Sequence, residues 1–174
     1  AIDAAGNSAS YELTLYYGLL NLITDRTQAD VSRAEYLARR LNAGAATAEE
    51  IAEYGNDLKG SYNAEDLNRV GAAVEYVANR LREYGYAVSV QPKTDWRAGE
   101  DPTPEELETY RGNVAALRAV LPVGKGTPNP PGSMERLTFQ AANDLERILL
   151  DVDQLITNIT LAWFYAGEVF SGEV

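Results

Sequence analysis

Carboxylates and guanidinium groups are the side chains in this sequence that could do chemistry. The 174 residues include 26 Asp and Glu and 15 Lys and Arg, with neither His nor Cys. The commonest general base, the thiolate nucleophile and the usual zinc ligands are therefore all missing. What remains is the chemistry of paired carboxylates, of the kind that glycoside hydrolases use.

No local pair of acids has the spacing that this chemistry needs. Asp151 and Asp153 are close in sequence, but two residues apart on a helix they point about 200° apart and cannot share a proton or a metal ion. Two carboxylates from different helices could still converge. A hydrolase therefore stays as a third interpretation, after the two that are given at the end of this section. The sequence predicts no catalytic residue, no metal ligand set and no cofactor, since it lacks the common nucleophile, phosphate-loop and EF-hand motifs.

One four-residue signature recurs: Asp, an aliphatic residue, any residue, then Arg. Its Asp and Arg are three residues apart, so they can pair on one face of a helix. Each copy opens an apolar stripe or lies near its start, which favours a helix-start device with a surface ion pair of about 0–1 kcal/mol. A functional pair is the alternative. The three candidate pairs are Asp30 with Arg33, Asp66 with Arg69, and Asp144 with Arg147.

The charge balance restricts the partners. The net charge is −11, and no basic cluster offsets it. Such a surface repels phosphate backbones and anionic lipids, so nucleic acid is not an expected partner. No apolar run approaches the roughly 18 residues of a membrane span. Protein partners, possibly a second copy of the chain, are expected, and a glycan is possible.

Stripes of apolar residues with clear start signals predict the fold. Residues 63–84 give the best example, with Asn63 as N-cap, an apolar residue every three or four positions, and Gly85 as the stop. Thr27, Thr47, Thr103 and Thr138 mark four further starts. The sequence predicts a mainly α protein: an irregular bundle of four longer helices and one short helix, with at most a minor strand pairing of the chain ends.

The same patterns predict a single helical domain over residues 1–174. Residues 1–10 are expected to be frayed, residues 87–90 could form a short strand, and residues 122–132 form a Pro- and Gly-rich linker. An extended tail is predicted for residues 165–174, because two glycines weaken a helix there. The chain starts at Ala1 without methionine, which suggests a trimmed fragment.

Aromatic residues in polar or terminal segments are the candidates for interaction. Trp96 lies in a polar loop and either stacks on a sugar ring or plugs the end of the bundle, and the plug is favoured. Tyr165 and Phe170 lie in the predicted tail, and Tyr16 and Tyr17 lie in the other segment with strand-like character. We expect the two ends to meet and to help mediate assembly.

Four runs of sequence carry a family resemblance: LITDRTQADVSR, LKGSYNAEDLNRVGAAVEYV, RLTFQAANDLERILLDVDQLITN and AWFYAGEVFSGEV. They resemble modules of uncharacterised proteins encoded in the structural-gene regions of bacterial prophages, with helices of the DLNR type and a C-terminal tail of the SGE type. The similarity covers residues 22–86 and 134–174. Gly71 and Ala72 depart from the pattern, in which an acidic residue follows the Arg-Val step.

The resemblance implies a structural part of a virion or its tail, or an appendage module, and no catalytic residue. The favoured function is therefore a non-enzymatic assembly or adaptor module of a phage-like particle or surface appendage. It would be found in the virion, or in the bacterial cytoplasm before assembly. The alternative is a carbohydrate-binding module that uses exposed aromatic residues.

Overall fold

Five α-helices account for the regular structure of the described residues. The computed structural model describes residues 21–56 and 58–170, with only the helical backbone described for residues 164–170. Within these ranges there is no strand, which confirms the prediction of a mainly α bundle with four longer helices and a short one. The helices are α1 (Gln28–Asn42), α2 (Ala48–Gly55), α3 (Ala64–Glu83), α4 (Pro104–Val120) and α5 (Phe139–Phe170).

Capping boxes start the first four helices at the predicted residues. In each, the N-cap side chain accepts a hydrogen bond from the third helical N–H, and the carboxylate at that third position accepts one from the N-cap N–H. The N-caps are Thr27, Thr47, Asn63 and Thr103. Gly44 and Gly85 follow α1 and α3 in the left-handed region, with φ of 62° and 83°. Because these interactions join residues that are close in sequence, the helix boundaries could be predicted from the sequence.

Helices α3, α4 and α5 pack pairwise around the hydrophobic core, whereas α1 and α2 pack chiefly on each other. Helices α3 and α5 run in the same direction, because early residues of α3 contact early residues of α5 and Arg80 reaches Asp153. The core side chains that solvent scarcely reaches are Val70, Val74, Val77 and Leu81 on α3, Val114 and Leu117 on α4, and Leu145, Ile148, Leu149 and Val152 on α5.

Three asparagines, one on each core helix, hold the extended segments of the chain. In each, the side-chain amide accepts from the N–H of one extended residue and donates to the carbonyl of that same residue, at 2.8–3.0 Å. The clamps join Asn68 to Trp96, Asn113 to Gln91, and Asn143 to Arg26. Backbone groups that would need a neighbouring strand are satisfied in this way. Residues 87–90, which the sequence suggested could form a short strand, have no regular secondary structure.

Gly71 allows the segment before α4 to lie directly on α3. A Cβ atom at this position would stand 2.1 Å from the carbonyl oxygen of Lys93. Only glycine leaves room for that carbonyl. This contact explains why a glycine stands at position 71.

Helix α5 continues further than the sequence predicts. The backbone is helical through Gly167 to Phe170, so the prediction of an extended chain from residue 165 is wrong for residues 165–170. A glycine costs about 1 kcal/mol in a helix, and a helix already 26 residues long at Phe164 needs no new nucleation to continue. Residues 1–20, which include Tyr16 and Tyr17, and residues 171–174 lie outside the described part, so the pairing of the ends stays a prediction.

The Gly71 contact predicts opposite effects for two mid-helix glycines. Gly71→Ala should lower the free energy of unfolding by about 1–3 kcal/mol, because the new methyl group collides with the Lys93 carbonyl. Gly112→Ala on α4 meets open space and should raise it by up to about 1 kcal/mol. Urea unfolding of both variants measures the difference. Equal effects of the two substitutions would show that the segment does not lie on α3.

The capping boxes predict a loss of stability in acid. The Thr103 backbone N–H, and secondarily Lys93, hold the pKa of Glu106 below its ordinary value of 4.5. A carboxylate with a lowered folded-state pKa stabilises the fold above that ordinary value, and the contribution disappears as the pH falls through the folded-state pKa. Glu106→Gln keeps the hydrogen bond without titrating, so its Tm should change less between about pH 6 and about pH 3. Glu105→Gln, outside the box, should keep the wild-type change.

Candidate functional site

Four charged side chains converge at one end of the α3–α5 contact. Asp66 and Arg69 lie in the first two turns of α3, Glu146 lies on α5, and Arg26 comes from the extended segment before α1. Solvent reaches 1% or less of the Asp66 and Glu146 side chains, 2% of Arg26 and 14% of Arg69. We call these four residues the Arg–carboxylate cluster.

Each arginine of the cluster bridges both carboxylates. Nη2 of Arg26 donates to Oδ1 of Asp66 and to Oε1 of Glu146, both at 2.7 Å. Nη2 of Arg69 donates to the same two oxygens, and its Nε reaches Oε2 of Glu146 at 3.2 Å. Two positive and two negative groups therefore balance one another within a buried volume, which is the condition for tolerating buried charge.

Backbone groups occupy the remaining carboxylate oxygen atoms. Oδ2 of Asp66 accepts from the N–H of Asn63, the N-cap of α3, at 2.9 Å. Oε2 of Glu146 accepts from the N–H of Ile23 at 2.6 Å. Every carboxylate oxygen of the cluster thus has a donor. The cluster ties residues 23–26 to both core helices.

The electrostatics keep both arginines charged. Burial alone would lower the pKa of Arg26 and of Arg69, but the charges and hydrogen bonds of Glu146 and Asp66 outweigh burial and raise it. Beside the cluster, the hydroxyls of Tyr62 and Tyr110 share a 2.5 Å hydrogen bond. Burial raises the pKa of both tyrosines, so neither forms a phenolate in the ordinary pH range.

Asp66 and Glu146 are two carboxylates that converge from different helices, which is the arrangement that a hydrolase would require. Here the oxygens of both are engaged by protein donors, and neither side chain faces solvent. A substrate could not approach them without displacing Arg26 or Arg69. The cluster joins residues 23–26 to α3 and α5, and this geometry supports a structural role.

The three signature pairs have three different outcomes. Asp66 and Arg69 do pair, but the expectation of a surface pair is wrong because Glu146 and Arg26 enclose them. Asp30 instead completes the capping box of Thr27, while Arg33 binds Glu53 of α2 at 2.5 Å. Within the described ranges Asp144 forms no ion pair, and Arg147 binds Asp151 at 2.7 Å.

Glu146 is a member of the cluster that the sequence analysis did not predict as a candidate site residue. It occupies the unspecified third position of the last signature. The signal was present, because Glu146 follows Ala142 by four residues and precedes Leu149 by three, and so falls on the apolar face of α5. A charged residue on such a face indicates a buried partner of opposite charge.

Trp96 lies in the hydrophobic core cluster. Its side chain is 5% exposed and belongs to the core, and the ammonium group of Lys93 stands 3.6 Å from the ring centroid. Lys93 in turn binds Glu100 at 2.6 Å and Glu106 at 3.0 Å. A cavity of about 240 Å³ lies beside the indole. Because the ring is covered, it offers no open face on which a sugar could stack.

Trp163 is the most exposed of the large apolar side chains that the structure describes, at 54%. It stands where α5 runs past the end of α3, and the ring of Tyr84 packs edge-on against it at 6.2 Å. Tyr165 and Phe170 follow on the same helix, and their side chains lie outside the description. The other exposed large apolar residues are Tyr36, Ile51 and Tyr54 on α1 and α2.

The described residues contain neither a candidate metal site nor a candidate membrane span. Among the described residues no group of three acidic side chains is placed to hold a metal ion. No helix in those ranges combines the length and the apolar character needed to cross a membrane.

The buried cluster predicts a large effect for one substitution and a small effect for its neighbour. Glu146→Gln should lower the free energy of unfolding by about 3–5 kcal/mol, because two buried guanidinium groups would share one carboxylate. Arg147→Ala removes the exposed pair with Asp151 on the same helix and should cost about 0–1 kcal/mol. Urea denaturation gives both values. A loss below about 1 kcal/mol for Glu146→Gln would mean that water enters the cluster.

Comparisons with known proteins complete the description of the site. No family model, no curated protein and no solved structure matches this chain.

Proposed function

We propose that this chain is a non-enzymatic assembly or adaptor module of a phage-like particle or surface appendage. The observation that carries the proposal is Trp163, which is 54% exposed at the point where α5 leaves the bundle. Large aromatic side chains bury 150–250 Å² each when they find a partner, and tryptophan is enriched at protein interfaces, so Trp163 is the first residue to test as an interface anchor.

The helix that carries Trp163 is held firmly by the hydrophobic core, which suits this residue to binding. Helix α5 is anchored by Leu145, Ile148, Leu149 and Val152, all fully buried. An aromatic anchor held by such a helix loses little conformational freedom on binding, and tryptophan is among the residues that dominate interface energies. The partner is then a protein with an apolar pocket, and a second copy of the chain is the first to test.

The phage-like context rests on the resemblance of the four sequence runs. The last run, residues 162–174, begins at Ala162 and contains the aromatic stretch. The Arg–carboxylate cluster agrees with this proposal, because it holds the fold together and engages both of its own carboxylates with protein donors. The proposed location is the virion, or the bacterial cytoplasm before assembly.

Replacing Trp163 tests the proposal against a matched surface residue. Trp163→Ser should weaken self-association more than about tenfold in Kd, because an interface anchor contributes about 2 kcal/mol or more. Ile51→Ser changes a side chain of equal exposure, 53%, on α2 and should leave association unchanged. Light-scattering mass across a concentration series measures both, with circular dichroism to check that helicity is retained.

Two outcomes would contradict the proposal in its self-assembling form. One is a monomeric mass for the intact protein at every concentration. The other is an equal loss of association in the two variants, which would indicate a general surface effect. Deletion of residues 170–174 extends the test, with a smaller particle of equal helicity expected if this end of α5 joins the subunits.

A further inference from the structure

The cavity beside Trp96 lies between α3, α4 and the segment that connects them. Its volume is about 240 Å³, and Val74 of α3, Tyr110 of α4 and Trp96 of the segment line its apolar part. A cavity of about 150 Å³ with apolar walls can hold a benzene molecule, so this one has room for a ring with a short substituent. Apolar walls with a few polar groups among them are typical of sites for small ligands.

Two of the buried polar side chains at the cavity already have partners within the protein. The amide of Asn113 exchanges two hydrogen bonds with the backbone of Gln91, both at 2.9 Å. The hydroxyl of Tyr110 shares a hydrogen bond with Tyr62. The indole nitrogen of Trp96, by contrast, is buried, and no residue in the described part of the chain accepts a hydrogen bond from it.

A buried donor without a partner indicates that an acceptor is missing. Most buried polar groups in proteins are paired, because an unpaired one costs stability. A second depression beside Trp96 is bordered by Asn63, Glu65 and Asn68, whose oxygen atoms would accept from an N–H directed towards them. The lack of a partner therefore favours the side of the apolar cavity. A single water molecule there would need two or more polar partners, and the other buried ones are taken.

The charges at the cavity favour a neutral ligand. Glu105 and Glu106 border it beside the cation Lys93, and the whole chain carries a net charge of −11. An anion would be repelled by these carboxylates. An ammonium or guanidinium ion offers only donors and cannot accept from the indole N–H. The ligand that suits the site is therefore uncharged and carries an acceptor.

The side chain of Lys93 covers the indole and can move. Its ammonium group lies over the ring, and its two ion pairs, with Glu100 and Glu106, join side chains that are each about one third exposed. Ion pairs this open to water contribute little. A lysine stem has several rotatable bonds, so Lys93 can turn towards water without a change in the backbone. The cavity can therefore admit a ligand to the indole edge.

We propose that the cavity beside Trp96 binds a small neutral aromatic molecule that carries one hydrogen-bond acceptor, such as a carbonyl oxygen. The ring of the ligand packs against Val74 and Tyr110. Its oxygen accepts from the indole N–H of Trp96 once Lys93 has turned aside. The site belongs to the folded monomer and does not depend on assembly through Trp163.

Two probes of the same shape test the role of the indole N–H. Acetophenone has a carbonyl oxygen where α-methylstyrene has a methylene group. Acetophenone should bind about tenfold more tightly, because α-methylstyrene leaves the donor unpaired. The chain has two tryptophans, so NMR of isotope-labelled protein shows two indole N–H signals, which Trp163→Phe assigns. Titration with acetophenone should move the Trp96 signal and leave the Trp163 signal in place.

Three variants locate the site, with affinities taken from the NMR signals of the probes. Trp96→Phe keeps an aromatic ring but removes the N–H, so it should bind the two probes with equal affinity. Thr109→Phe places a large side chain at the exposed mouth of the cavity and should weaken acetophenone binding at least about tenfold. Ala119→Phe makes a similar change on the exposed side of α4, away from the cavity, and should leave binding unchanged.

Equal affinities of the intact protein for the two probes would overturn the proposal. So would a Trp96 indole signal that stays in place at millimolar acetophenone. If Trp96→Phe fails to fold, Thr109→Phe and Ala119→Phe still decide, because both replace exposed residues. Equal acetophenone affinities of these two variants would show that the probe binds elsewhere, and the proposal would fall.

Discussion

The balance of charge in the Arg–carboxylate cluster is the constraint on which the rest of the structure depends. Two carboxylates on different helices cannot lie this close, away from water, unless positive groups neutralise them. Arg69 supplies one guanidinium from α3 itself. The second comes from Arg26, outside the bundle, so the segment before α1 has to be drawn onto the α3–α5 contact. Charge neutrality thus fixes the path of a segment that has no regular structure.

The asparagine clamps provide hydrogen-bond partners for backbone groups outside the helices. An all-helical core leaves extended connections without a neighbouring strand, and their backbone groups need partners. Asn68, Asn113 and Asn143 each offer one donor and one acceptor in the geometry of a peptide group. Together with the space left at Gly71, they hold the segment around Gln91 and Trp96 against the helices. The side chain of Trp96 is therefore placed by backbone contacts as well as by burial.

The parts of the fold that depend on neighbouring residues could be predicted from the sequence. Capping boxes at Thr27, Thr47 and Thr103 act over three residues, and the apolar stripe of α3 repeats every three or four. The cluster could not be predicted in the same way, because Arg26 and Glu146 are 120 residues apart and nothing local marks them as partners. The end of α5 could not be predicted from the preference of single residues, because the cost of Gly167 is small for a helix that is already long.

The separation between Arg26 and Glu146 also determines the order of events while the chain is synthesised. Arg26 leaves the ribosome before the core helices, and the carboxylate that completes its site follows 120 residues later. Until then Asp66 is the one carboxylate of the cluster that Arg26 can bind, on a helix that still lacks its neighbour α5. At translation rates of about 5–20 residues per second the wait lasts roughly 6–24 seconds. The segment around Arg26 is thus made before the three core helices but is among the last to be fixed in place.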